Sequence, residues 1–210
     1  YTIGTVVNVS NETAFVNAIN QANNNGGNLT ILIADGTYQI ATPSWYPYIT
    51  VSNVVIRSLS GNRDAVILTG SGMADVSPDS EIGFYAAGDN ITIANLTIKD
   101  MGNHAIAVTG NNLYVYNVKI QNTYEQMIKA NDAGNDVNNG KVKCSLFEYT
   151  AGVGPQWYIG GLDIHRGTNW TVSDNIFKDI SSPSQAIAEH AIHFWDSSAD
   201  NIVERNKITN

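Results

Sequence analysis

Cysteine, basic side chains and long apolar runs are all scarce in this sequence. A single cysteine, Cys144, in 210 residues rules out an internal disulfide framework and a cysteine-built metal cage. Its neighbours Lys143 and Ser145 supply no activating base, so the expectation for it is a small buried hydrophobe rather than a nucleophile. No stretch reaches the ~18 apolar residues of a membrane helix. The start, Tyr1-Thr2-Ile3-Gly4, lacks the basic and apolar regions of a secretory leader, which is expected to be already removed or never present. Lys and Arg number 11 against 19 Asp and Glu, a net charge of −8 that argues against nucleic acid and anionic membranes as partners.

What is present is a sequence with only 14% charged residues and 43% hydrophobic ones, rich in Asn, Thr, Gly and Tyr. That hydrophobic content suffices for one domain, residues 1–210, with a continuous core. A surface that hydrogen-bonds more than it repels suits sugar contacts and a secreted, extracellular or periplasmic location. Asn8, Asn11, Asn28, Asn90, Asn95 and Asn169 each open an Asn-x-Ser/Thr triplet. In a chain of this composition such triplets also arise by chance.

The organising signal is repetition. The frame Asp89-Asn90-Ile91-Thr92-Ile93-Ala94-Asn95-Leu96-Thr97-Ile98 returns as Asn111-Asn112-Leu113-Tyr114-Val115-Tyr116-Asn117-Val118-Lys119-Ile120. It returns again from Thr168 to Asp179 and from Asp200 to Ile208, with weaker copies at Gly140–Glu148 and Asn53–Ser58. Each copy holds two short period-2 strands separated by a polar residue, commonly Asn. A third strand follows each: His104–Val108, Gln126–Ala130, Gly161–His165 and Ala191–Trp195. Three strands and three turns per coil, at a spacing of about 22 residues stretching to roughly 30, predict an all-β, right-handed parallel β-helix, a single-stranded solenoid. An antiparallel sandwich would predict hairpin turns and no recurring Asn frame.

Residues 10–22 read as a short N-terminal capping helix, with Ser10 or Asn11 as N-cap and an apolar stripe of Ala14, Phe15, Ala18, Ile19 and Ala22. At the other end the sequence stops at Ile208-Thr209-Asn210, directly after a frame. The expectation there is either a further segment or coverage by another chain, including self-association.

Two stretches carry a family resemblance. The helix with Phe15, Ala18 and Ile19, its Gly26-Gly27 stop and Ile31-Leu32-Ile33-Ala34-Asp35-Gly36-Thr37-Tyr38 resemble the cap and first coil of pectate-lyase-like β-helix proteins. Gly160-Gly161-Leu162-Asp163-Ile164-His165, Asp174-Asn175-Ile176-Phe177 and Glu189-His190-Ala191-Ile192-His193-Phe194-Trp195 resemble bacterial right-handed β-helix repeat proteins, several of which are polysaccharide lyases. The resemblance implies the fold over nearly the whole chain. Its chemistry is less specific, because the fold also carries hydrolases, epimerases, esterases and adhesins. The calcium-aspartate pattern of true pectate lyases has no match here.

Stacking locates a candidate site. If Ile106, Ile128, Leu162 and Ile192 point inward at equivalent levels, the outward column reads Ala107, Lys129, Asp163, His193. The next reads Thr109, Asn131, His165, Trp195, with Arg166 just beyond. Elimination from a uronate needs a cation for the carboxylate, a base for the adjacent C–H proton and an acid for the leaving oxygen. Lys129 or Arg166 suits the first role, His193 or His165 the second, and a tyrosine such as Tyr158 or Tyr124 the third, with Asp163 orienting a neighbour. Trp195, Trp157, Tyr158, Asn131, Glu189 and His190 are candidates for substrate binding, Trp195 and Trp157 by stacking on sugar rings. The expected substrate is an acidic polysaccharide.

Other readings stay open. Two-carboxylate hydrolysis would pair Asp163 with Glu189 or Asp196. Asp163, His165 and His193 are possible metal ligands, and the loop Asn131–Asp136 is a possible calcium site, although no cofactor is required by the sequence. A non-catalytic, structural or adhesive β-helix would carry the same columns as ladders. The scaffold predicts Lys129, Asp163 and His193 flush with a flat surface. The enzyme predicts them at the floor of a groove walled by Tyr149–Tyr158 and Ser181–Ala188.

Overall fold

The computed structural model describes residues 1–42, 45–73, 81–130, 134–184 and 189–210. Among them, strands run in three parallel sheets of eight, seven and six strands, wound as a right-handed β-helix. The two strands of each sequence frame supply the first and second sheets. The first comprises Thr5–Val9, Leu29–Ile33, Val54–Ser58, Ile91–Ala94, Tyr114–Tyr116, Lys141–Lys143, Thr171–Ser173 and Ile202–Glu204. The third sheet runs Tyr48–Ile49, Phe84–Ala86, Ile106–Val108, Ile128–Ala130, Gly160–His165 and His190–Trp195.

The recurring Asn is what turns the corner. Between the first and second sheets, Asn95, Asn117, Cys144, Asp174 and Arg205 have φ of 56, 50, 55, 61 and 53°. That left-handed region is unfavourable for most side chains and is visited most readily by Asn, Asp and Gly. The Asn side chains also bond up the stack, as in Asn117 Nδ2 to Asn95 Oδ1 at 2.9 Å. Cys144 stands in this bend and is exposed, not buried as its chemistry alone suggested. A left-handed corner throws the side chain outward, whatever its polarity.

Alternation then fills the interior. Ile31, Ile56, Ile93, Val115, Val142 and Val172 pair in register and have no exposed surface. On the second sheet the inward rings of Phe147 and Phe177 stack at 4.7 Å. Truncating one such inward aliphatic side chain to Ala costs about 2–5 kcal/mol.

The cap is the helix Glu12–Asn24, starting and ending two residues later than the sequence suggested. Asn11 is its N-cap, its side chain accepting from the Ala14 N–H. Phe15, Ala18, Ile19 and Ala22 are buried, and Phe15 meets Phe84 edge-on. No described helix is long and apolar enough to cross a membrane.

Candidate functional site

The third sheet positions the site, and its register is the one expected: Ala107 pairs with Lys129, Lys129 with Asp163, and Asp163 with His193. His165 pairs with Trp195 on the next outward row. Period-2 alternation therefore delivers an ammonium, a carboxylate and two imidazoles to one face from three successive coils.

Asp163 is the hub. Its side chain has no exposed surface, while those of Lys129, His165 and His193 are 13, 25 and 37% exposed. Oδ2 accepts from Lys129 Nζ and, at 2.9 Å, from the Tyr158 hydroxyl. Oδ1 lies 3.0 Å from His193 Nδ1 and 3.2 Å from His165 Nε2. Burial pushes the Asp163 carboxyl up, but the Lys129 ammonium, the Tyr158 hydroxyl and His165 outweigh it, and the carboxyl falls to about 2. Asp163 is therefore an anion at neutral pH. Burial and the neighbouring Asp163 charge raise the Tyr158 phenol well above its ordinary value, so Tyr158 keeps its proton.

The geometry leaves usable groups. With Nδ1–H donated to Asp163, His193 presents Nε2 as a lone pair. Lys129 Nζ also lies 3.2 Å from His165 Nε2, which as an acceptor leaves one of three ammonium N–H bonds for a ligand. Rings surround the cluster: Tyr158 packs 5.5 Å from Trp157, His190 4.9 Å from His193, and His193 5.5 Å from Trp195. Trp157 and Trp195 are 57 and 58% exposed. Gly160 pairs with His190, and a Cβ on it would stand 2.3 Å from His190 Nε2, so the glycine is the socket for that ring.

Several residues fall elsewhere than expected. Arg166 has left-handed backbone, and its guanidinium bonds Asp136 at 2.8 Å. Glu189 accepts from the Ser182 backbone N–H, which ties it to its own loop. Tyr149 is not a groove wall but a fully buried core residue, its hydroxyl bonded to the Thr123 carbonyl. The tyrosine whose hydroxyl reaches Asp163 is Tyr158, not Tyr124. Asn131, residues 131–133 of the suggested calcium loop and residues 185–188 of the suggested wall lie outside the described residues. Asp163, His190 and His193 bring ligand atoms within 4.8 Å of one another, a nitrogen–oxygen set with His190 where the sequence suggested His165. Both Asp163 oxygens already hold protein donors.

The structure adds residues that the sequence did not single out. A groove of about 430 Å³ adjoins Lys129, lined among others by Tyr46, Tyr85, His104, Ala107 and Glu125. His104, given no role from sequence, is mostly buried, with Nδ1 2.8 Å from the Gln126 carbonyl oxygen and Nε2 3.7 Å from Glu125. Burial lowers its pKa to about 4, so it is neutral at neutral pH. The third-sheet strand Phe84–Ala86 had a signal: Phe84-Tyr85-Ala86-Ala87-Gly88-Asp89-Asn90 precedes its frame as Ile106-Ala107-Val108-Thr109-Gly110-Asn111-Asn112 precedes the next.

Sequence comparison agrees with this architecture: the family model for the right handed beta helix region matches residues 30–208. The chain belongs to the right-handed β-helix family. Across 98% of either chain, this β-helix is similar, at a TM-score of 0.63 and 14% identity, to a Parabacteroides merdae protein described as a "putative glycosyl hydrolase". At that identity the likeness is one of fold. Comparison with curated protein sequences finds no match.

Proposed function

We propose that this β-helix is a polysaccharide lyase of the pectate-lyase-like kind, cleaving a uronate-containing polysaccharide by β-elimination with His193 as the base. The observation that carries the reading is the Asp163 hub, which holds an imidazole, an ammonium and a phenol together on one face. The remaining Lys129 N–H binds the uronate carboxylate and makes the adjacent C5–H more acidic. His193 Nε2 takes that proton, its charge offset by Asp163 on the other ring nitrogen. The electron pair forms the C4–C5 double bond as the C4–O bond breaks, and the leaving oxygen takes a proton from Tyr158. Trp157 and Trp195 flank the cluster as stacking surfaces for sugar rings.

Hydrolysis fits less well. A general acid needs a raised pKa, and Asp163 sits at about 2. Of its suggested partners, Glu189 is turned to the Ser182 backbone and Asp196 lies in a turn with φ 41°. A ladder on a passive scaffold has no need of a fully buried carboxylate serving three donors, which is costly unless every partner is in place.

The test is ultraviolet absorbance of the unsaturated uronate product across a panel of uronate polysaccharides, for wild type and His193→Ala. The expected result is a rise that the substitution lowers by at least about 100-fold. No rise with folded protein, alongside new reducing ends, would replace the lyase reading with hydrolysis.

A further inference from the structure

The outward column of the third sheet continues beyond Ala107. Tyr85 pairs with Ala107, and Tyr48 with Tyr85, so the column runs Tyr48, Tyr85, Ala107, Lys129, Asp163, His193. Five steps of about 4.8 Å make it ~24 Å long, the reach of an extended sugar chain rather than one ring. Tyr48 and Tyr85 meet edge-on at 4.9 Å, and Tyr46 lies 6.3 and 6.4 Å from them. Tyr46 and Tyr85 line the groove that ends at Lys129, while the small Ala107 lowers its floor.

The charge along this path is unusual for a face that takes a polyanion. Of the 11 Lys and Arg, Lys129 alone lies within a third-sheet strand. Arg166, just past one, is paired with Asp136. Residues 43–44, 74–80, 131–133 and 185–188 contain no Lys or Arg. The other ionisable groups lining the groove beside Lys129 are Tyr46, Tyr85, His104 and Glu125. A second carboxylate there would meet Glu125 and no further cation, whereas an uncharged ring would lay its C–H face on the tyrosines and its hydroxyls toward Glu125 and Thr109.

From this we infer that the substrate alternates uronate with uncharged sugars, the uronate at Lys129 and an uncharged sugar on the Tyr46–Tyr85 platform. The inference rests on the lyase reading and narrows its substrate class.

Calorimetric binding to the His193→Ala protein tests it at fixed salt. The probes are hyaluronan and unsulfated chondroitin as alternating polymers, with polygalacturonate and alginate as polymers of uronate throughout. The tightest ligand is expected among the alternating polymers, at least about tenfold tighter per sugar residue than either homopolymer. Tyr85→Ala, checked for folding by circular dichroism, is expected to weaken that ligand about tenfold and the homopolymers by less than about twofold. A homopolymer binding tightest, equal weakening of every ligand, or no binding at all would each overturn the inference. The lyase reading fails separately. If wild type binds an alternating polymer with the expected preference and yields no unsaturated product, the platform stands and the elimination does not. Comparable elimination from polygalacturonate would do the reverse.

Discussion

A carboxylate without exposed surface survives at Asp163 because three donors, from Lys129, Tyr158 and His193, converge on its two oxygens, and that sets how the protein responds to acid. Its folded pKa of about 2 lies below the ordinary 3.8. A depressed folded pKa means the ionised form adds stability that is complete above about pH 4 and fades as pH falls through about 2. The shift corresponds to about 2 kcal/mol. Urea unfolding of wild type and Asp163→Asn should show the gap between them narrowing by roughly that amount between pH 6 and about pH 2. At pH 7, Asp163→Asn should lower elimination by at least about 100-fold, since the amide cannot hold His193 and Lys129 in the same arrangement. The neighbouring Gly160→Ala should separate stability from function. The three atoms nearest the added methyl all belong to the His190 ring, a side chain rather than backbone, so a shift of that ring should hold the change in unfolding under about 1 kcal/mol while turnover falls. The reading also assigns the cation to Lys129, so EDTA should leave the rate unchanged. Loss of activity restored by Zn²⁺ would instead give Asp163, His190 and His193 to a metal.

At the scale of elements, the same left-handed corner accounts for what the sequence did and did not disclose. The frame was legible because Asn at 95 and 117 does something few residues do cheaply: it turns the backbone at φ of 56 and 50° and hydrogen-bonds to the coil beside it. Asn117→Gly should leave the corner intact at a cost under about 1 kcal/mol, whereas Asn117→Val should cost about 2 kcal/mol or more by denaturant unfolding. The Lys129–Asp163–His193 column was legible for an equally simple reason, since alternation fixes which side chains share a face once the frames are aligned. Commitments of long side chains were not. Nothing in the local sequence sends Arg166 to Asp136 or Glu189 to the Ser182 backbone, because these depend on rotamers and on loops between coils. Tyr85 stands as far before Ala107 as Ala107 does before Lys129 and so carried a signal, whereas Tyr48 escaped notice because a longer stretch separates its strand from Phe84–Ala86. Cys144 was misread because its frame position, not its chemistry, decides its exposure.

Over the whole molecule, the charge of −8 opposes any polyanion that approaches, while the proposed reading places the attraction in one ammonium, that of Lys129. The two act over different distances. Repulsion between the protein's net charge and a polymer extends across the Debye length, which contracts from about 30 Å at 0.01 M salt to about 8 Å at 0.15 M. In the proposed lyase, the Lys129–carboxylate contact would be made at hydrogen-bond distance on a partly buried group, where screening is weaker. Raising salt through that range should therefore remove more repulsion than attraction, so kcat/KM for the polymer should rise, mainly through a lower KM. A tyrosine platform that binds uncharged rings by stacking strengthens the expectation, because that contribution has no Coulombic part to lose. Initial rates across a sodium chloride series measure it. A steep fall with salt would mean that a cluster of cations, rather than Lys129 with an aromatic face, carries substrate binding, and Arg166 released from Asp136 would be the first residue to substitute.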